Sequence, residues 1–472
     1  MNKKYWGRMI IISALVASQD IAGTNGLAQS LIVSNERPGS ATNASEAPKL
    51  TSLVFKYFDQ HTGMTVDQAV AFALQHNGEL LAARKEIEAA SALVKQAALR
   101  ANPMVEASGA KTVSGTDNNL IIQGTLPLEL GGRRSARIKV AERELELRRQ
   151  DVSNRERLLA ADVRTKFGET LAAIFKLGFD QDVIDTSERG YNLVAARVLE
   201  GKTPPLEQNM VLVELNRLRS MREVAEGRTQ LAMLDLRNVM GMRPDEPLRV
   251  SGDFADLINP LVPLADATNK ALAERPDLKL ALATEELAEA RLEQARSEGK
   301  LDASLTGGYQ RMDSSFPVNG INDAGQLSPI RSTFNYLTFG VSLVLPVRNK
   351  NQGTIEAAIA EAGAAKTRRE FTELTIRREV ASAYAQYNSA ARAAEIFRVG
   401  VKDQANANLD VVRKTYELGS KTLVDYLGEQ RQFIELQDSY IDMLLNTFKA
   451  RVEVERAVAS SPLTKPEEQI HE

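Results

Sequence analysis

Apolar and polar positions divide the chain into long helical stretches and two pairs of alternating strands. Apolar residues recur at helical spacing from about Thr65 to Arg100, and the period then changes to two. Residues from Pro103 to Val113 and from Asn119 to Leu128 predict two strands around SGTDNN. The second of these strands places on one face the apolar residues Leu120, Ile122, Leu126 and Leu128. We therefore expect a hairpin with one apolar face.

A second helical stretch is long enough to exceed a globular domain. It runs from about Arg133 to Glu200 without proline, and at 1.5 Å per residue it would be roughly 100 Å long. It stops at GKTPP, Gly201 to Pro205, where glycine suits the left-handed end of one helix and proline the first turn of the next. A further helix is expected from about Leu206 to Val239.

The sequence then repeats this order of elements. GELLAARKEIEAASALVKQAALRANPMVEASGA aligns with PDLKLALATEELAEARLEQARSEGKLDASLTGG at an offset of 198 (Leu80 to Leu278). A second strand pair and a second long helix, from about Thr354 to Leu418, follow. The helix breaks at Gly419, which matches Gly201 at an offset of 218. The growth in offset places about 20 extra residues in the second hairpin loop, MDSSFPVNGINDAGQLSPIRST, of a duplicated helix-strand-strand-helix-helix unit.

The N-terminus predicts export. Lys3, Lys4 and Arg8 precede the apolar run MIIISALVA, and Gly26 and Ala28 occupy the small positions of a signal peptidase site. We expect a signal peptide over residues 1–28, cleaved near Ala28, and a linker over 29–63. The first repeat then covers 64–262, the second repeat 263–459, and a disordered polar tail 460–472.

Composition excludes several functional classes. The 59 basic and 62 acidic residues leave no basic excess for nucleic acid, and the absence of cysteine excludes disulfides and thiolate sites. The three histidines lie far apart in the sequence. No phosphate-binding loop, metal-ligand spacing or nucleophile-base set is present. We expect no enzyme activity, no catalytic residues, no metal site and no cofactor.

The strands allow two interpretations. In the second hairpin Leu337, Phe339, Val341, Leu343 and Leu345 share one face, as in an outer-membrane barrel, but a soluble sheet packed on helices would alternate in the same way. Two hairpins cannot close a barrel alone, whereas three chains with four strands each would make twelve. Long alanine-rich helices, which pack side by side more readily than around a compact core, favour the barrel.

Five segments resemble the TolC-like outer-membrane efflux proteins, in the branch that serves cobalt-zinc-cadmium exporters. The resemblance covers roughly Met64 to Val458. It rests on MTVDQAVAFALQHNGELLAAR, LPLELGGRRSARI, ERPDLKLA, LPVRNKNQG and YELGSKTLVDYLGEQ, in that order.

The resemblance implies a mainly helical fold with a small transmembrane β part. In this family a homotrimer forms a twelve-stranded barrel in outer-membrane lipid, continued by a periplasmic α-helical tunnel. Such channels work with a periplasmic adaptor, or membrane fusion protein, and an inner-membrane proton-driven transporter of the RND type. The helix breaks at Gly201 and Gly419 would then lie at the periplasmic tip, where the adaptor docks.

The resemblance also implies a constriction near that tip. Asp425 matches an acidic ring, Tyr416 and Lys421 match residues that tether it, and Glu207 is their expected acidic partner. Gly428 departs from the family, since many relatives carry a second acidic residue there, although the adjacent Glu429 could partly substitute.

Each of these residues also has a local interpretation. Thr422 and Asp425 have the spacing of a capping box, in which Asp425 would serve the start of a helix. Tyr416 could be a packing aromatic, and Lys421 with Glu207 a solvated surface pair.

The sequence therefore favours a passive exit duct for divalent metal ions of the cobalt, zinc, cadmium or nickel type. Export of drugs or small organic molecules through the same architecture is an alternative. An exported coiled-coil scaffold or adaptor that never enters a membrane is another, but it leaves the amphipathic hairpins unexplained.

Overall fold

The computed structural model describes residues 54–113, 115–254 and 262–459. The predicted signal peptide with its cleavage near Ala28, most of the linker over 29–63 and the tail over 460–472 lie outside the described residues. The described end of the linker is packed rather than free: Tyr57 is buried, and Phe58 and Met64 both pair with Val250 as isolated parallel bridges.

The described part of the first half includes four helices and two strands. They are α1 (Val66–His76), α2 (Gly78–Ala98), β1 (Met104–Lys111), β2 (Asn118–Pro127), α3 (Arg133–Leu199) and α4 (Pro205–Met240). The first predicted helical stretch is thus two helices. The side chain of Asn77 accepts a hydrogen bond from the Leu80 amide (3.0 Å) and so caps the start of α2.

The second half follows the same order with two differences. Its elements are α5 (Leu264–Glu274), α6 (Pro276–Glu298), β3 (Asp302–Ile321), β4 (Leu327–Val344), α7 (Gln352–Phe397), a π-helical turn (Arg398–Lys402), α8 (Asp403–Glu417) and α9 (Leu423–Val458). The sequence did not predict the π turn. The expected long hairpin loop is wrong, because its residues extend β3 and β4 and leave only residues 322–326 between them.

The strands form one antiparallel sheet in the order β1-β2-β3-β4. The register places Ile122 opposite Tyr309 and Tyr309 opposite Leu337. A neighbouring row on the same face joins Leu126, Leu305 and Val341. The opposite face is polar at the rows between them. There Gln123 lies opposite Gly308 and Gly308 opposite Thr338, and Thr306 lies opposite Gly340. The sheet therefore has one apolar and one polar face.

The chain divides into two compact units. Within the described residues, unit 1 comprises 54–70, 162–254 and 386–452, and unit 2 comprises 71–113, 115–161, 262–385 and 453–459. In unit 1 the buried residues of α3, α4 and α9 pack together, among them Ile184, Leu215, Leu218 and Ile434. A Cβ on Gly168 would lie 2.4 Å from the Phe448 ring, so only glycine permits that approach.

Unit 2 holds a buried arginine at the start of α6. Arg275, in the ERPDLKLA segment, is 2% exposed. Its guanidinium donates to the Glu379 carboxylate (2.8 Å), to Asp277 and to the Ala457 carbonyl (3.1 Å). A buried charge is tolerated only when it is paired in this way. This residue of the family-like segment thus connects three separate parts of the chain within unit 2.

Within the residues that the structure describes, no helix combines the length and the apolar character that crossing a membrane requires.

Candidate functional site

The candidate site lies in unit 1, where two pairs of helices reverse direction. Gly201 (φ 71°) and Gly419 (φ 80°) both occupy the left-handed region. At the first reversal the Lys202 amide donates to the Arg197 carbonyl (2.9 Å), and at the second the Ser420 amide donates to that of Thr415 (2.9 Å). These bonds are those of a Schellman helix end, which explains the glycine at each position.

Asp425 lies at the start of α9 in a capping box. Its Oδ2 accepts from the Thr422 amide (3.0 Å) and the Thr422 hydroxyl (2.8 Å), while its own amide donates to Thr422 Oγ1 (3.2 Å). The bonds from Thr422, and the nearby charge of Lys421, lower the pKa of the exposed Asp425 carboxyl below its ordinary value. Asp425 is therefore ionised and points its charge to water.

Tyr416 connects the two reversals. Its hydroxyl donates a long hydrogen bond to Glu207 Oε2 (3.4 Å), which joins α8 to the first turn of α4. Its ring stacks on that of Tyr426, with centroids 5.7 Å apart and planes 6° apart. Burial, followed by the Glu207 charge, raises the pKa of Tyr416. The structure thus brings Tyr416 and Glu207 together and gives Tyr416 a packing role as well.

Lys421 does not join this contact. Its side chain is exposed, and among the described residues no hydrogen bond or ion pair connects it to Glu207. Within the described chain, Tyr416 contacts Glu207, and Lys421, the other predicted tether, does not. The tethering role of Lys421 stays a prediction.

A cavity of about 290 Å³ lies beside the two reversals, between α3, α4, α8 and α9. Its apolar wall includes Val194, Val211, Leu423 and Leu427, which form one core cluster. At its far end Gln430 donates to the hydroxyl of Ser187 (3.0 Å). The cavity shows that these helices do not pack tightly below the reversals.

Sequence reasoning missed Glu214, which lines this cavity at 2% exposure. Burial raises its pKa, but the Arg431 and Arg217 guanidiniums, each 2.6 Å from a carboxylate oxygen, outweigh burial and hold the pKa below its ordinary value. The available signal was its position among Val211, Leu215 and Leu218 on the apolar side of α4. Glu214 fastens α4 to α9 through Arg431.

A second pair of acids lies farther along α3 and α9. Burial, followed by the charge of Asp438, raises the pKa of Asp180 to about 6, and Lys176 and Arg228 oppose that shift. Burial also raises the pKa of Asp438, and its Oδ1 is buried without a hydrogen-bond partner in the described structure. One further acid, Asp442, is close, and it pairs with Lys176 (2.8 Å). The pair holds a proton more strongly than ordinary aspartates.

In residues 54–113, 115–254 and 262–459 the structure shows no group of three or more His, Cys, Asp or Glu side chains that could hold a metal ion.

A comparison with protein families identifies one family. The family model described as "Outer membrane efflux protein" matches residues 70–242 and 267–460. The cobalt-zinc-cadmium resistance protein CzcC of Cupriavidus metallidurans is 24% identical over 393 residues, which cover 83% of this chain and 89% of that protein.

Solved structures share the fold. A membrane protein of Pseudomonas aeruginosa is 19% identical with a TM-score of 0.69, covering 90% of this chain and 99% of that one. CusC is 17% identical with a TM-score of 0.69, covering 86% of this chain and 94% of that one. The likeness to these structures concerns the fold.

Proposed function

Because the chain belongs to the outer membrane efflux protein family, we propose that it is the outer-membrane channel of a tripartite exporter. It would be a passive duct that receives cargo from an RND-type inner-membrane transporter through a periplasmic adaptor. The family and fold are those of channel proteins rather than enzymes. The energy for transport would therefore come from the partners.

The apolar face of the sheet carries this proposal. On β4 the side chains of Leu337, Phe339 and Val341 are 74%, 85% and 62% exposed. Water-exposed apolar patches of this kind mark a surface that contacts lipid or another chain. The outer strands β1 and β4 each pair on one side only. Three copies that pair edge to edge would close twelve strands into a barrel whose apolar face meets lipid, in agreement with the homotrimer expected from the sequence.

The exposed side of α9 supports a cationic cargo. Asp425, Glu435 and Asp442 lie along it with Gln432 and Ser439, and all five are exposed. If this side faces the lumen, its carboxylates would concentrate cations along the path. The name of the relative CzcC refers to resistance to cobalt, zinc and cadmium. Divalent heavy-metal cations are therefore the proposed cargo.

The reversals would form the closed end of the duct. In this proposal Asp425 lines the constriction, the Tyr416–Glu207 contact holds α8 against α4, and Lys421 contributes to the tether in the assembled trimer. The turns at Gly201 and Gly419 would meet the adaptor. Docking would move α8 away from α4 by breaking the long hydrogen bond between Tyr416 and Glu207.

A deletion strain of the native host tests the proposal. We expect it to lose tolerance to zinc, cobalt or cadmium salts, and a plasmid copy of the gene to restore it. A Phe339→Lys copy should fail, because a lysine on the lipid face costs about 2–4 kcal/mol near the middle of a bilayer. The matched variant Thr338→Lys, on the polar face, should restore tolerance.

The outcomes separate the alternatives. A deletion strain that is sensitive to dyes or detergents but tolerates metals normally would indicate an organic cargo. The channel proposal would then still stand. Equal rescue by both lysine variants, with the protein released from membranes by salt alone, would contradict membrane insertion.

A further inference from the structure

The cavity beside the two helix reversals has the composition of a small ligand pocket. Its volume of about 290 Å³ lies at the lower end of the range for ligand pockets, about 300–1,000 Å³. Its residues come from α3, α4, α8 and α9, and all of them belong to unit 1. The apolar cluster of Val194, Val211, Leu423 and Leu427 forms one wall, and a few polar groups lie around it. This composition is typical of a site for a small organic molecule.

Two tyrosines form a second wall, on the side of α8 and α9. The rings of Tyr416 and Tyr426 both line the cavity, and they stack with planes 6° apart. We call them the tyrosine wall. Aromatic side chains offer a large apolar surface together with a polar tip. The two walls therefore favour an apolar body in the ligand.

The charges around the cavity favour an anion. The ionisable residues of the lining, apart from the tyrosines, are three arginines and two glutamates: Arg189, Arg197, Arg413, Glu214 and Glu417. Glu214 already lies between the guanidiniums of two further arginines that are not part of the lining. The lining and its immediate neighbours thus carry more positive than negative charge.

The three arginines of the lining differ in their partners. Arg413 forms an ion pair with Asp410 (2.9 Å), and Arg189 donates a hydrogen bond to the Thr186 hydroxyl (3.2 Å). In the part of the chain that the structure describes, the guanidinium of Arg197 has neither a hydrogen bond nor an ion pair. Arg197 is therefore the arginine with donors available to a ligand.

Arg197 is placed beside the tyrosine wall. Burial raises the pKa of Tyr416, and the positive charge of Arg197 opposes that shift, so the two groups are close. Arg197 itself is half-buried. A guanidinium presents its N–H groups in a planar fork that matches the two oxygens of a carboxylate. The position of Arg197 therefore suits a carboxylate attached to an apolar body.

A glycine leaves the cavity open on the α3 side. Gly190 lines the cavity within the 67 residues of α3, where glycine favours the helix less than alanine does. It has no positive φ, and a Cβ added to it would meet no atom within 4 Å. Neither backbone conformation nor close packing thus requires glycine at this position. What glycine does provide is a lining position without a side chain.

We propose that this cavity binds a small amphipathic carboxylate. The carboxylate pairs with the guanidinium of Arg197, and the apolar body lies between the tyrosine wall and the apolar cluster. Charge complementarity selects an anion over a cation, and the small volume selects a ligand below the size of most drugs.

The bound ligand would hold the two reversals together. The cavity is bounded by α8 through Tyr416 and by α4 through Val211. In the proposed opening α8 moves away from α4, which would divide the cavity. A ligand that binds only the closed arrangement stabilises that arrangement by mass action. This consequence rests on the proposed function, whereas the binding site does not.

Binding of 4-phenylbutyrate to the full-length protein, purified from membranes, tests the site. Titration calorimetry, with protein-free detergent micelles as the baseline, should show saturable binding. The uncharged 4-phenylbutyramide should bind at least about tenfold more weakly, because it cannot form a charge-assisted pair with Arg197. Arg197→Gln should weaken binding of 4-phenylbutyrate to the same degree. Arg219→Gln, at an exposed arginine outside the lining, should leave it unchanged.

Two glycine substitutions give a steric test. Gly190→Leu should abolish binding, because the new side chain occupies the cavity. Gly363→Leu replaces another helical glycine whose Cβ would meet no atom within 4 Å, and it should bind as the wild type does. Neither change should lower the thermal unfolding midpoint, because leucine favours a helix more than glycine does.

Two binding results would overturn the site. One is equal affinity for 4-phenylbutyrate and its amide. The other is equal affinity of the wild type and a folded Gly190→Leu protein.

Channel recordings test the consequence separately. Saturating 4-phenylbutyrate should reduce the open time of wild-type channels in planar bilayers at least about twofold and have no effect on Gly190→Leu channels. Saturable binding with unchanged opening would contradict the role of the ligand in holding the reversals together. A wild-type chain that binds 4-phenylbutyrate but forms no channel would contradict the proposed function and leave the binding site standing.

Discussion

The two helix reversals of unit 1 make the same backbone turn with different side chains. Gly201 and Gly419 adopt similar positive φ angles and similar Schellman hydrogen bonds. After Gly201 the chain enters α4 through Pro204 and Pro205 without a side-chain cap. After Gly419 it enters α9 through the hydrogen bonds of Thr422 with Asp425. The turn itself thus depends on glycine, while only the second of the two reversals is followed by a side-chain helix cap.

The helices that lead to the two reversals differ in their continuity. Helix α3 reaches Gly201 as 67 continuous residues, whereas the path to Gly419 contains the π turn at Arg398–Lys402. Beside that turn the Phe397 ring stacks on Tyr440, and Lys402 Nζ lies 5.2 Å from the same ring. Single π turns inside α-helices are frequently found at functional sites. The helical path to Gly419 is therefore irregular where the path to Gly201 is continuous.

The largest expected effect is on conductance. Asp425→Ala combined with Tyr416→Phe, both in the second half, should raise the single-channel conductance of the purified protein in planar bilayers several-fold, because the Tyr416–Glu207 bond and the constriction charge are both lost. Lys202→Ala, at the first reversal, is the control and should leave conductance unchanged. Equal effects of the two changes, or none, would contradict a gate in the second half.

The next effect concerns the packing of first-half α3 against second-half α9. Since the pKa of Asp180 is raised to about 6 in the folded protein, folding favours its protonated form. Stability should therefore fall as pH rises through about 6, by roughly 1–2 kcal/mol for this half-buried pair. Asp438→Asn removes the repulsion but leaves the larger effect of burial, so it should reduce the pH dependence of the thermal unfolding midpoint, measured by circular dichroism.

Glu435→Gln is the matched control for that measurement. It removes one carboxylate from the exposed side of the same helix and should leave the pH dependence as in the wild type. If Asp438→Asn also leaves it unchanged, the two aspartates do not interact as the structure indicates.

The smallest effect compares two threonines in the similar segments GKT and SKT. Thr422→Ala removes a helix cap and should destabilise the start of α9 by about 1 kcal/mol. Thr203→Ala should have almost no effect, because α4 begins without a side-chain cap. Hydrogen exchange of amides in the first turns of α4 and α9 measures both. If amide exchange becomes faster in both variants, the two reversals do not differ in side-chain capping.

Much of the fold could be predicted from local signals. Glycine and proline at GKTPP placed the end of α3 within one residue and the start of α4 beside Pro205, because both residues have strong backbone preferences. Alternation located β1 and β2, and the order of elements suggested the family, which the family model confirms. The capping box at Thr422 was also visible as a spacing.

The missed features depend on contacts that a sequence does not display. The extension of β3 and β4 through MDSSFPVNG and LSPIRST relies on pairing across the hairpin, and its polar composition favoured a loop. The π turn has no residue signal apart from Gly400. Glu214 looked like one more helical glutamate until Arg217 and Arg431 were found beside it. The assignment of Asp425, Tyr416, Lys421 and Glu207 to a gate stays a prediction.

The unequal strand lengths give the sheet an uneven rim. Pairing of β2 with β3 ends at Asp313, whereas β3 and β4 remain paired as far as Ile321 and Leu327. The last part of that hairpin is thus a ribbon of two strands standing clear of its neighbours. In the proposed channel this ribbon would rise above the outer leaflet at three points. It would be the part of the channel most accessible from outside the cell. In that channel, residues 322–326 would be the natural place to insert a surface tag.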